Sequence, residues 1–308
     1  MDMDGGIDDA LAIILALRSP EVEVLGITAV SGNVSVEQAT INALRVVELL
    51  DRQDVWVASG LARPLNRNPI RAYNFHGRDG LGDSKLARPK TRPLAKIALR
   101  ALNETLLSAN KHELTIICTG PLTNLASFLT KYPDQTRMIG EVVIMGGAFG
   151  TTEHGMGNET SVAEFNIYSD PEAAKIVIES EIKLKAVGLD VTTIPRLEFS
   201  RADYFRIGRE NSKIARFASQ ILAKNIRAHG RFTLHDPMAV AAKVRPSYYR
   251  FEDYSVNIET RGEYTTGMTI ADRRDWLPQR KLAGHRTSVC VGVSDHFKQL
   301  FMDRLFNL

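Results

Sequence analysis

The chain begins with MDMDGGIDD at residues 1–9, and this stretch passes directly into the apolar segment ALAIILAL at residues 10–17. Four of its nine residues are aspartates. A folded protein seldom holds so many like charges beside its core unless a positive charge compensates them. The simplest compensating charge is a divalent cation, because hard cations such as Ca²⁺ and Mg²⁺ take carboxylate and carbonyl oxygens as ligands.

The order of residues in this stretch predicts a strand, a tight turn and a helix. Asp4 stands where a strand would end, and Gly5-Gly6 allow a turn without Cβ clashes. Asp8-Asp9 stand at the start of the apolar segment, where carboxylates suit a helix N-terminus. For an isolated Asp-Asp pair, the more common explanation is an acidic helix cap. Four carboxylates around two glycines favour a cation site instead.

Length and composition predict a protein with a substantial core. Of the 308 residues, 44% are hydrophobic and 24% are charged, which suits one large domain or two small ones. We expect a single domain over residues 1–308. The net charge is +3 and the basic residues are scattered, so no nucleic-acid partner is expected.

Cysteine usage and the absence of long apolar runs bear on location. Cys118 and Cys290 both lie in apolar stretches, which predicts buried free thiols in a reducing compartment. The sequence shows no signal peptide and no apolar span of about 20 residues. We therefore expect a cytoplasmic protein without a membrane partner, and a homodimer or homotetramer as its assembly.

Short β-branched runs alternate with helical patterns along the chain. A capping box from Ser35 to Gln38 predicts a helix to about Leu50, and Asp170-Pro171 predict the start of a helix that runs through Ile178. Strands are predicted at residues 22–30, 55–58, 114–118, 141–145 and 184–188. This alternation favours an α/β fold: a mostly parallel central sheet flanked by helices, in a Rossmann-like open arrangement. Ligands of such folds bind at the C-terminal ends of the strands.

Polar clusters follow the predicted strands, so they should surround one pocket at that edge of the sheet. They are Asp4, Ser31-Gly32-Asn33, the segment from Thr119 to Asn124, and Gly146-Gly147. No Walker A or Gly-x-Gly-x-x-Gly sequence stands at a strand-to-helix turn, so a cradle for nucleotide phosphates is not indicated.

Taken together and in order, these motifs resemble the inosine-uridine-preferring nucleoside hydrolases. The motifs are Asp2-x-Asp4-x-Gly6-x-Asp8-Asp9, Ser31-Gly32-Asn33, His76-Gly77, Thr119-Gly120-Pro121-Leu122-Thr123-Asn124, Met145-Gly146-Gly147, Ala163-Glu164-Phe165-Asn166, Val187-Gly188-Leu189-Asp190, His235-Asp236-Pro237 and Gly267-Met268-Thr269-Ile270-Ala271-Asp272. Any one of them alone is a weak signal, but their shared order extends the resemblance from the first residues to at least Asp272.

The resemblance implies a ribonucleoside substrate and one Ca²⁺ ion. The implied ligands of this ion are Asp4, Asp9, Asp236 and a main-chain carbonyl near Thr123, with the 2′ and 3′ hydroxyls of the ribose completing the shell. The implied substrate contacts are Asp8, Asn33, Glu164 and Asn166 at the ribose, Asn158 and Met145 nearer its 5′ side, and His76 in the pocket. Two have simpler alternatives: Asn158 as a turn residue after Gly157, and His76 as a surface-loop histidine.

The implied chemistry is hydrolysis of an N-glycosidic bond through an oxocarbenium-like ribosyl cation. Such a reaction needs negative charge near the sugar, an activated water and a protonated leaving base. Asp4 is the candidate general base. His235 is the candidate that contacts the departing base or donates a proton to it, because imidazole titrates near neutrality. The alternative for His235 is that it merely orients Asp236.

The chain departs from the family pattern in several places. Gly5 stands where the family usually has Pro, and we expect the metal geometry to survive because Gly can adopt the Pro conformation. The chain begins where relatives have several residues of a first strand, so this strand should be almost absent. The loop at residues 149–157 is longer than expected. Residues 225–232 lack the tyrosines of some members, so base preference stays open.

Three residues of that last segment have two interpretations. Arg227, His229 and Phe232 either line the subsite for the base or form an ordinary helix end with cations at its C-terminus. Two other functions also remain. A metal-dependent phosphatase of α/β type would open with Asp-x-Asp after a strand, and a catalytically inactive homologue would bind nucleosides without cleaving them.

Overall fold

The computed structural model describes residues 1–274, 276 and 284–308. Its strands are β1 (Asp2–Met3), β2 (Gly26–Ala29), β3 (Trp56–Ser59), β4 (Thr115–Cys118), β5 (Glu141–Met145), β6 (Leu184–Val187), β7 (Phe199–Ser200), β8 (Arg231–Phe232), β9 (Tyr249–Ile258), β10 (Thr269–Asp272) and β11 (His285–Val293).

Its helices are α1 (Ile7–Leu17), α2 (Val36–Leu49), α3 (Tyr73–His76), α4 (Ala98–Ser108), α5 (Thr123–Lys131), α6 (Pro133–Thr136), α7 (Phe165–Ser169), α8 (Pro171–Ile178), α9 (Leu189–Thr192), α10 (Arg201–Ile207), α11 (Lys213–His229), α12 (His235–Val244) and α13 (His296–Phe306). Short 3₁₀ turns cover Pro195–Leu197 and Pro246–Tyr248. In the described part of the chain, no helix has the length and apolarity that crossing a bilayer requires.

Within the described residues, nine strands form one sheet in the order β10-β9-β11-β6-β5-β4-β1-β2-β3, and β7 pairs with β8 separately. Every pairing from β3 across to β11 is parallel. The pairings of β9 with β11 and β10 are antiparallel. The predicted mostly parallel α/β sheet is confirmed. The antiparallel strands β9 and β10 at one edge of the sheet were not predicted. The direction of a strand depends on where the chain re-enters the sheet, and this is set by contacts between distant segments.

Helices cover both faces of this sheet. Consecutive residues of β5 alternate between two apolar clusters, with Val142 and Ile144 in one and Val143 and Met145 in the other. Since neighbouring side chains of a strand point to opposite faces, the two clusters lie on opposite sides. One cluster includes α1, α2, α11, α12 and α13, and the other includes α4, α5 and α8.

The first strand is as short as the sequence suggested. Asp2 alone pairs with both neighbours, opposite Thr28 on β2 and Cys118 on β4. The buried carboxylate of Asp2 accepts hydrogen bonds from Thr28 Oγ1 at 2.6 Å and Asn124 Nδ2 at 2.8 Å. This aspartate therefore ties together three central elements. The strand predicted at residues 22–30 is shorter than expected, because its pairing with β3 begins only at Gly26.

Helix boundaries agree with the local signals. The Ser35 hydroxyl accepts a hydrogen bond from the Gln38 amide at 3.3 Å, although the Gln38 side chain turns to Asn42 rather than back to the cap. Asp170 caps α8 by accepting from the Ala173 amide at 3.1 Å. Cys118 and Cys290 are buried free thiols, as predicted.

Gly5 does not adopt the conformation that proline would have at this position. Its φ is +86°, whereas proline is restricted to a φ near −65°. A Cβ at this position would lie 2.6 Å from Cα of Ala39. The turn between β1 and α1 therefore follows a path that requires glycine and not the path of an X-Pro turn.

Candidate active site

The candidate residues come from loops at the C-terminal ends of the central parallel strands and from the start of α12. Asp4 follows β1, Asn33 follows β2, Thr119 follows β4, and Met145 ends β5. The helices that begin here are α1, α7 and α12, which contribute aspartates, Asn166 and His235. Because the strands are parallel, their ends meet at one edge of the sheet, as the sequence predicted.

Three buried carboxylates form a group with the spacing of cation ligands. Asp8, Asp9 and Asp236 each offer one oxygen, and these oxygens all lie within 4.8 Å of one another. The Asp9 carboxylate accepts hydrogen bonds from the Gly6 amide at 2.7 Å and from Thr119 Oγ1 at 2.6 Å. The Oδ1 atom of Asp8 is buried without a hydrogen-bond partner. A cation would satisfy this atom, so the residues fit a hard metal ion.

The electrostatics of the group favour the same conclusion. Burial, followed by repulsion from Asp9, raises the pKa of Asp8 to about 8. Burial and the neighbouring aspartates hold the pKa of Asp4 and Asp236 well above the usual range for a carboxyl group. Such shifts mark carboxylates that lack a compensating charge, and they concentrate at functional sites.

The Asp4 carboxylate is fixed by a single neighbour. Its Oδ2 accepts from the main-chain amide of Asn33 at 2.7 Å, and its Oδ1 accepts from Asn33 Nδ2 at 2.8 Å. Asn33, which the sequence predicted as a ribose contact, thus also orients Asp4. Two donors from one residue, its main-chain amide and its side-chain amide, leave this carboxylate little rotational freedom.

Glu164 and Asn166 lie side by side at the start of α7. The Glu164 carboxylate accepts from the amides of Asn166 at 2.8 Å, Ile167 at 3.1 Å and Gly147 at 3.1 Å. Burial raises the pKa of Glu164 to about 7 in spite of these bonds. The Asn166 amide group donates to the carbonyls of Thr119 at 3.0 Å and Met145 at 3.1 Å. Both side chains are therefore buried and held by main-chain groups.

Two other candidates have structural partners. Asn158 is exposed, and its Oδ1 accepts from the Phe165 amide at 2.9 Å, as a turn residue would. The Thr123 hydroxyl donates to Asp170 at 2.7 Å, which leaves its main-chain carbonyl as the predicted ligand.

His76 occupies an enclosed position, and His235 a half-buried one. His76 is buried, so the surface-loop alternative for it is wrong. Its Nδ1 accepts from the Ile7 amide at 3.1 Å and lies 3.8 Å from Asp8 Oδ1. Burial, with a smaller effect of His235, lowers the pKa of His76 to about 3, so its ring is neutral at pH 7.

His235 contacts a residue that sequence reasoning missed. Its Nδ1 lies 2.8 Å from Thr192 Oγ1, and burial lowers its pKa to about 4. Thr192 is a fully buried hydroxyl in the segment Leu189–Thr192, and burial of a polar side chain is not visible in sequence. Thr119, the partner of Asp9, was also given no role, although it follows a strand directly.

In the segment at residues 225–232, whose two interpretations stayed open, Phe232 is buried and His229 is exposed. Phe232 is buried and its ring stacks on Phe75, with 5.5 Å between centroids. His229 is exposed at the end of α11, and its ring centroid lies 6.4 Å from that of Phe75.

A separate cavity of about 590 Å³ opens at the amino ends of the strands, beside Gly26 and Trp56. None of the candidate residues lines it, so the site is identified by its chemistry.

Buried carboxylates with raised pKa values at the C-terminal ends of a parallel sheet are typical of an α/β enzyme with a cation-compatible centre. Known proteins identify the class more closely. A sequence model of the "Inosine-uridine preferring nucleoside hydrolase" family matches residues 1–299.

Relatives and solved structures agree with this match. The chain is 40% identical over 310 residues to the "Pyrimidine-specific ribonucleoside hydrolase RihA" of Escherichia coli O81 (strain ED1a), covering 99% of this chain and 96% of that protein. A plant nucleoside hydrolase, PpNRh1, superposes with a TM-score of 0.90 at 31% identity, covering 100% and 98% of the two chains. A purine-preferring ribonucleoside hydrolase from Gardnerella vaginalis gives a TM-score of 0.88 at 32% identity, covering 99% and 96%.

The chain belongs to the inosine-uridine preferring nucleoside hydrolase family. It is an N-glycosyl hydrolase of ribonucleosides. This membership sets aside the phosphatase-type alternative.

Proposed function

We propose that the chain is a Ca²⁺-dependent ribonucleoside hydrolase in which Asp4 acts as the general base. The observation that carries this proposal is the buried group of Asp8, Asp9 and Asp236, with ligand oxygens within 4.8 Å of one another. These carboxylates have raised pKa values and one of them has an unpartnered oxygen. In its ionised form, a group of this kind requires a positive charge.

Asp4, Asp9, Asp236 and the Thr123 carbonyl would hold the ion. The Asp8 carboxylate offers an oxygen within 4.8 Å of oxygens of Asp9 and Asp236, so it lies close enough to those two ligands to join them. Ca²⁺ suits this set because it accepts six to eight oxygen ligands with flexible geometry. When bound, the ion supplies charge compensation and a template that orients the ribose hydroxyls.

The side chains of the protein would divide the remaining work. Asp4, held by both donors of Asn33, would accept a proton from the attacking water. Asp8, Asn33, Glu164 and Asn166 would bind ribose hydroxyls, with Met145 and Asn158 nearer the 5′ side. The negative charge of the carboxylates would stabilise the oxocarbenium-like transition state.

His235 and His76 would act on the base. Both rings are neutral at pH 7, so each carries one N–H that can donate a hydrogen bond to an oxygen or nitrogen of the leaving base. The Nδ1 of His76 accepts from the Ile7 amide, which leaves Nε2 as its donor. The contact of His235 with Thr192 holds its ring without using Asp236.

We further propose a preference for pyrimidine ribonucleosides. The support is the 40% identity to the pyrimidine-specific RihA enzyme, against 32% to the purine-preferring enzyme of known structure. The decisive experiment measures ribose release from uridine, cytidine, inosine, adenosine and guanosine, with and without a chelator. We expect uridine and cytidine to be cleaved fastest, and chelation to abolish turnover until Ca²⁺ is restored.

Two variants test the position of the metal in the same assay. Asp236→Ala should lose both bound Ca²⁺ and nearly all ribose release. Asp2→Asn is the matched control, because Asp2 belongs to the same acidic stretch but bonds to Thr28 and Asn124. It should retain the metal. Nucleoside binding without ribose release would identify the inactive homologue instead, and metal retained in Asp236→Ala would place the ion elsewhere.

Three broader expectations belong to the same proposal. A single domain over residues 1–308 is supported by one sheet of nine described strands that includes both β1 and β11. A cytoplasmic location is supported by the two buried free thiols. A homodimer or homotetramer is to be tested by light scattering.

A further inference from the structure

A buried aspartate outside the proposed machinery gathers donors from a distant loop. Asp190, on the short helix α9, is completely buried. Its Oδ2 accepts from the Phe149 amide at 2.8 Å, and its Oδ1 accepts from the Thr151 amide at 2.6 Å and from Thr151 Oγ1 at 2.8 Å. A carboxylate is suited to this place because it only accepts, and all three partners donate.

The helical turn that carries Asp190 also holds the residues that follow Thr151. We call residues 149–155 the 149–155 loop. The main-chain carbonyl of Asp190 accepts from Thr152 Oγ1 at 2.6 Å, and Thr193 Oγ1 donates to the His154 carbonyl at 3.3 Å. A Cβ added at Gly155 would collide with Asp190 Oδ1. The loop backbone therefore closes directly around this carboxylate.

The 149–155 loop stands between two parts of the proposed site. It follows β5, whose last residue is Met145, and it leads to Asn158, which is tied to the Phe165 amide beside Glu164. On the same short helix, Thr192 contacts His235. One buried turn of helix thus connects the loop with a residue proposed to act on the base.

We propose that Asp190 is a positioning residue that holds the 149–155 loop, and through it Asn158, against the 5′ side of the bound ribose. This rests on the proposed function for the location of the ribose. Asp190 itself touches no substrate in this arrangement. Its role is to keep a long polar loop in one conformation, so that the loop borders the site.

The test compares Asp190→Asn with wild type on uridine and 5′-deoxyuridine. The amide keeps one oxygen acceptor but presents an NH₂ group to an N–H donor, so one anchoring bond is lost. Loss of one charge-assisted hydrogen bond between Asp190 and the loop corresponds to roughly a tenfold change in the equilibrium constant for holding the loop, and hence in the affinity for uridine. We expect KM for uridine to rise about tenfold while kcat changes by less than about threefold. The preference for uridine over 5′-deoxyuridine should shrink by a similar factor.

A second readout follows the loop without catalysis. Glu153 is exposed in the 149–155 loop, so cleavage there by a glutamate-specific protease reports how firmly the loop is held. Cleavage should be faster in Asp190→Asn than in wild type. Thr151→Val, which removes only one side-chain donor, should be intermediate and keeps the test available if Asp190→Asn folds poorly. Thr151→Ser retains the hydroxyl and should match wild type.

Unchanged protease cleavage in both Asp190→Asn and Thr151→Val would overturn the proposal. So would an equal fall in kcat on both substrates with no change in KM, because that pattern indicates a general structural defect. If wild type released no ribose from any nucleoside, the proposed function would fail. The protease comparison would then still decide whether Asp190 holds the loop.

Discussion

At the scale of single residues, the geometry of the site depends on the hydrogen bonds that orient its carboxylates. Asn33 donates to both oxygens of Asp4, so the proposed base is oriented by a neighbour on the next strand's loop. Asp9 is held by Gly6 and Thr119. A carboxylate that is oriented before substrate arrives loses little further freedom in the transition state, which is the purpose of preorganisation.

Asp4→Asn separates a general base from a simple metal ligand. The amide offers a neutral oxygen to a cation but cannot accept a proton. We expect kcat for uridine to fall by roughly 10²–10⁴-fold, while nucleoside affinity, measured by calorimetry with Ca²⁺ present, falls much less. The control is Asn33→Ala, which leaves the carboxylate and should lower kcat by a smaller factor. Equal losses of affinity and turnover in Asp4→Asn would make Asp4 chiefly a ligand.

His235→Ala tests the contact with the leaving base. Uridine, whose base is a poor leaving group, should be cleaved roughly 100-fold more slowly or worse, at the lower end of what a positioned donor to a leaving group contributes. A ribose that carries p-nitrophenolate needs no proton for departure and should be cleaved at nearly the wild-type rate, with Ca²⁺ still bound. Thr192→Val, which removes the contact to Nδ1, should show a weaker form of the same pattern. Parallel loss on both substrates together with loss of metal would remove His235 from the catalytic residues.

At the scale of elements, the turn between β1 and α1 determines where the aspartates point. Gly5 at φ +86° reverses the chain within a few residues, and its carbonyl accepts from Asn42 Nδ2 of α2 at 2.8 Å. The turn therefore places Asp4 and the start of α1 on either side of one small volume. Its backbone conformation, rather than any side chain, decides this placement.

Gly5→Ala should destabilise the fold, because a side chain is strained at this φ and its Cβ would lie 2.6 Å from Cα of Ala39. We expect the free energy of unfolding to fall by about 2 kcal/mol, within the usual range for backbone strain. Gly208→Ala is the matched control: its φ is −63°, and the nearest atom to an added Cβ is 3.4 Å away. It should leave stability unchanged or raise it by about 0.4–1 kcal/mol. Equal denaturation midpoints for the two variants would show that the turn relaxes.

At the scale of the whole molecule, the buried acidic group couples folding to pH and to metal. Burial raises the pKa of Asp8 to about 8 and holds those of Asp4 and Asp236 well above the usual range for a carboxyl group, so without metal the folded protein holds protons that the unfolded chain has released. Stability then falls as pH rises. Burial lowers the pKa values of His76 and His235 to about 3 and 4, so these two groups make stability rise with pH. They do so only below about pH 6.5, where the histidines of the unfolded chain are charged.

Between about pH 6.5 and 8, the carboxylates therefore dominate, and the melting temperature of chelated protein should fall as pH rises. Each extra proton held by the folded state contributes a slope of about 1.4 kcal/mol per pH unit. Saturating Ca²⁺ should flatten this dependence, since it favours the ionised carboxylates. Asp8→Asn, measured by the same thermal scans without metal, should show a shallower slope. A metal-free melting temperature that is level or rises across this window would contradict the electrostatic argument.

The sequence alone determined the features that depend on neighbouring residues. The limits of α8 follow from Asp170-Pro171 and an apolar period, and those of β5 from a β-branched run. The grouping of polar loops followed from the rule that parallel strands end at one edge. The tertiary structure alone decided the contacts between distant segments. Examples are the antiparallel return of β9 and β10, the positive φ of Gly5, and the partners of Asp190 and His235. These depend on packing between parts of the chain tens of residues apart, and local patterns carry no information about such distances.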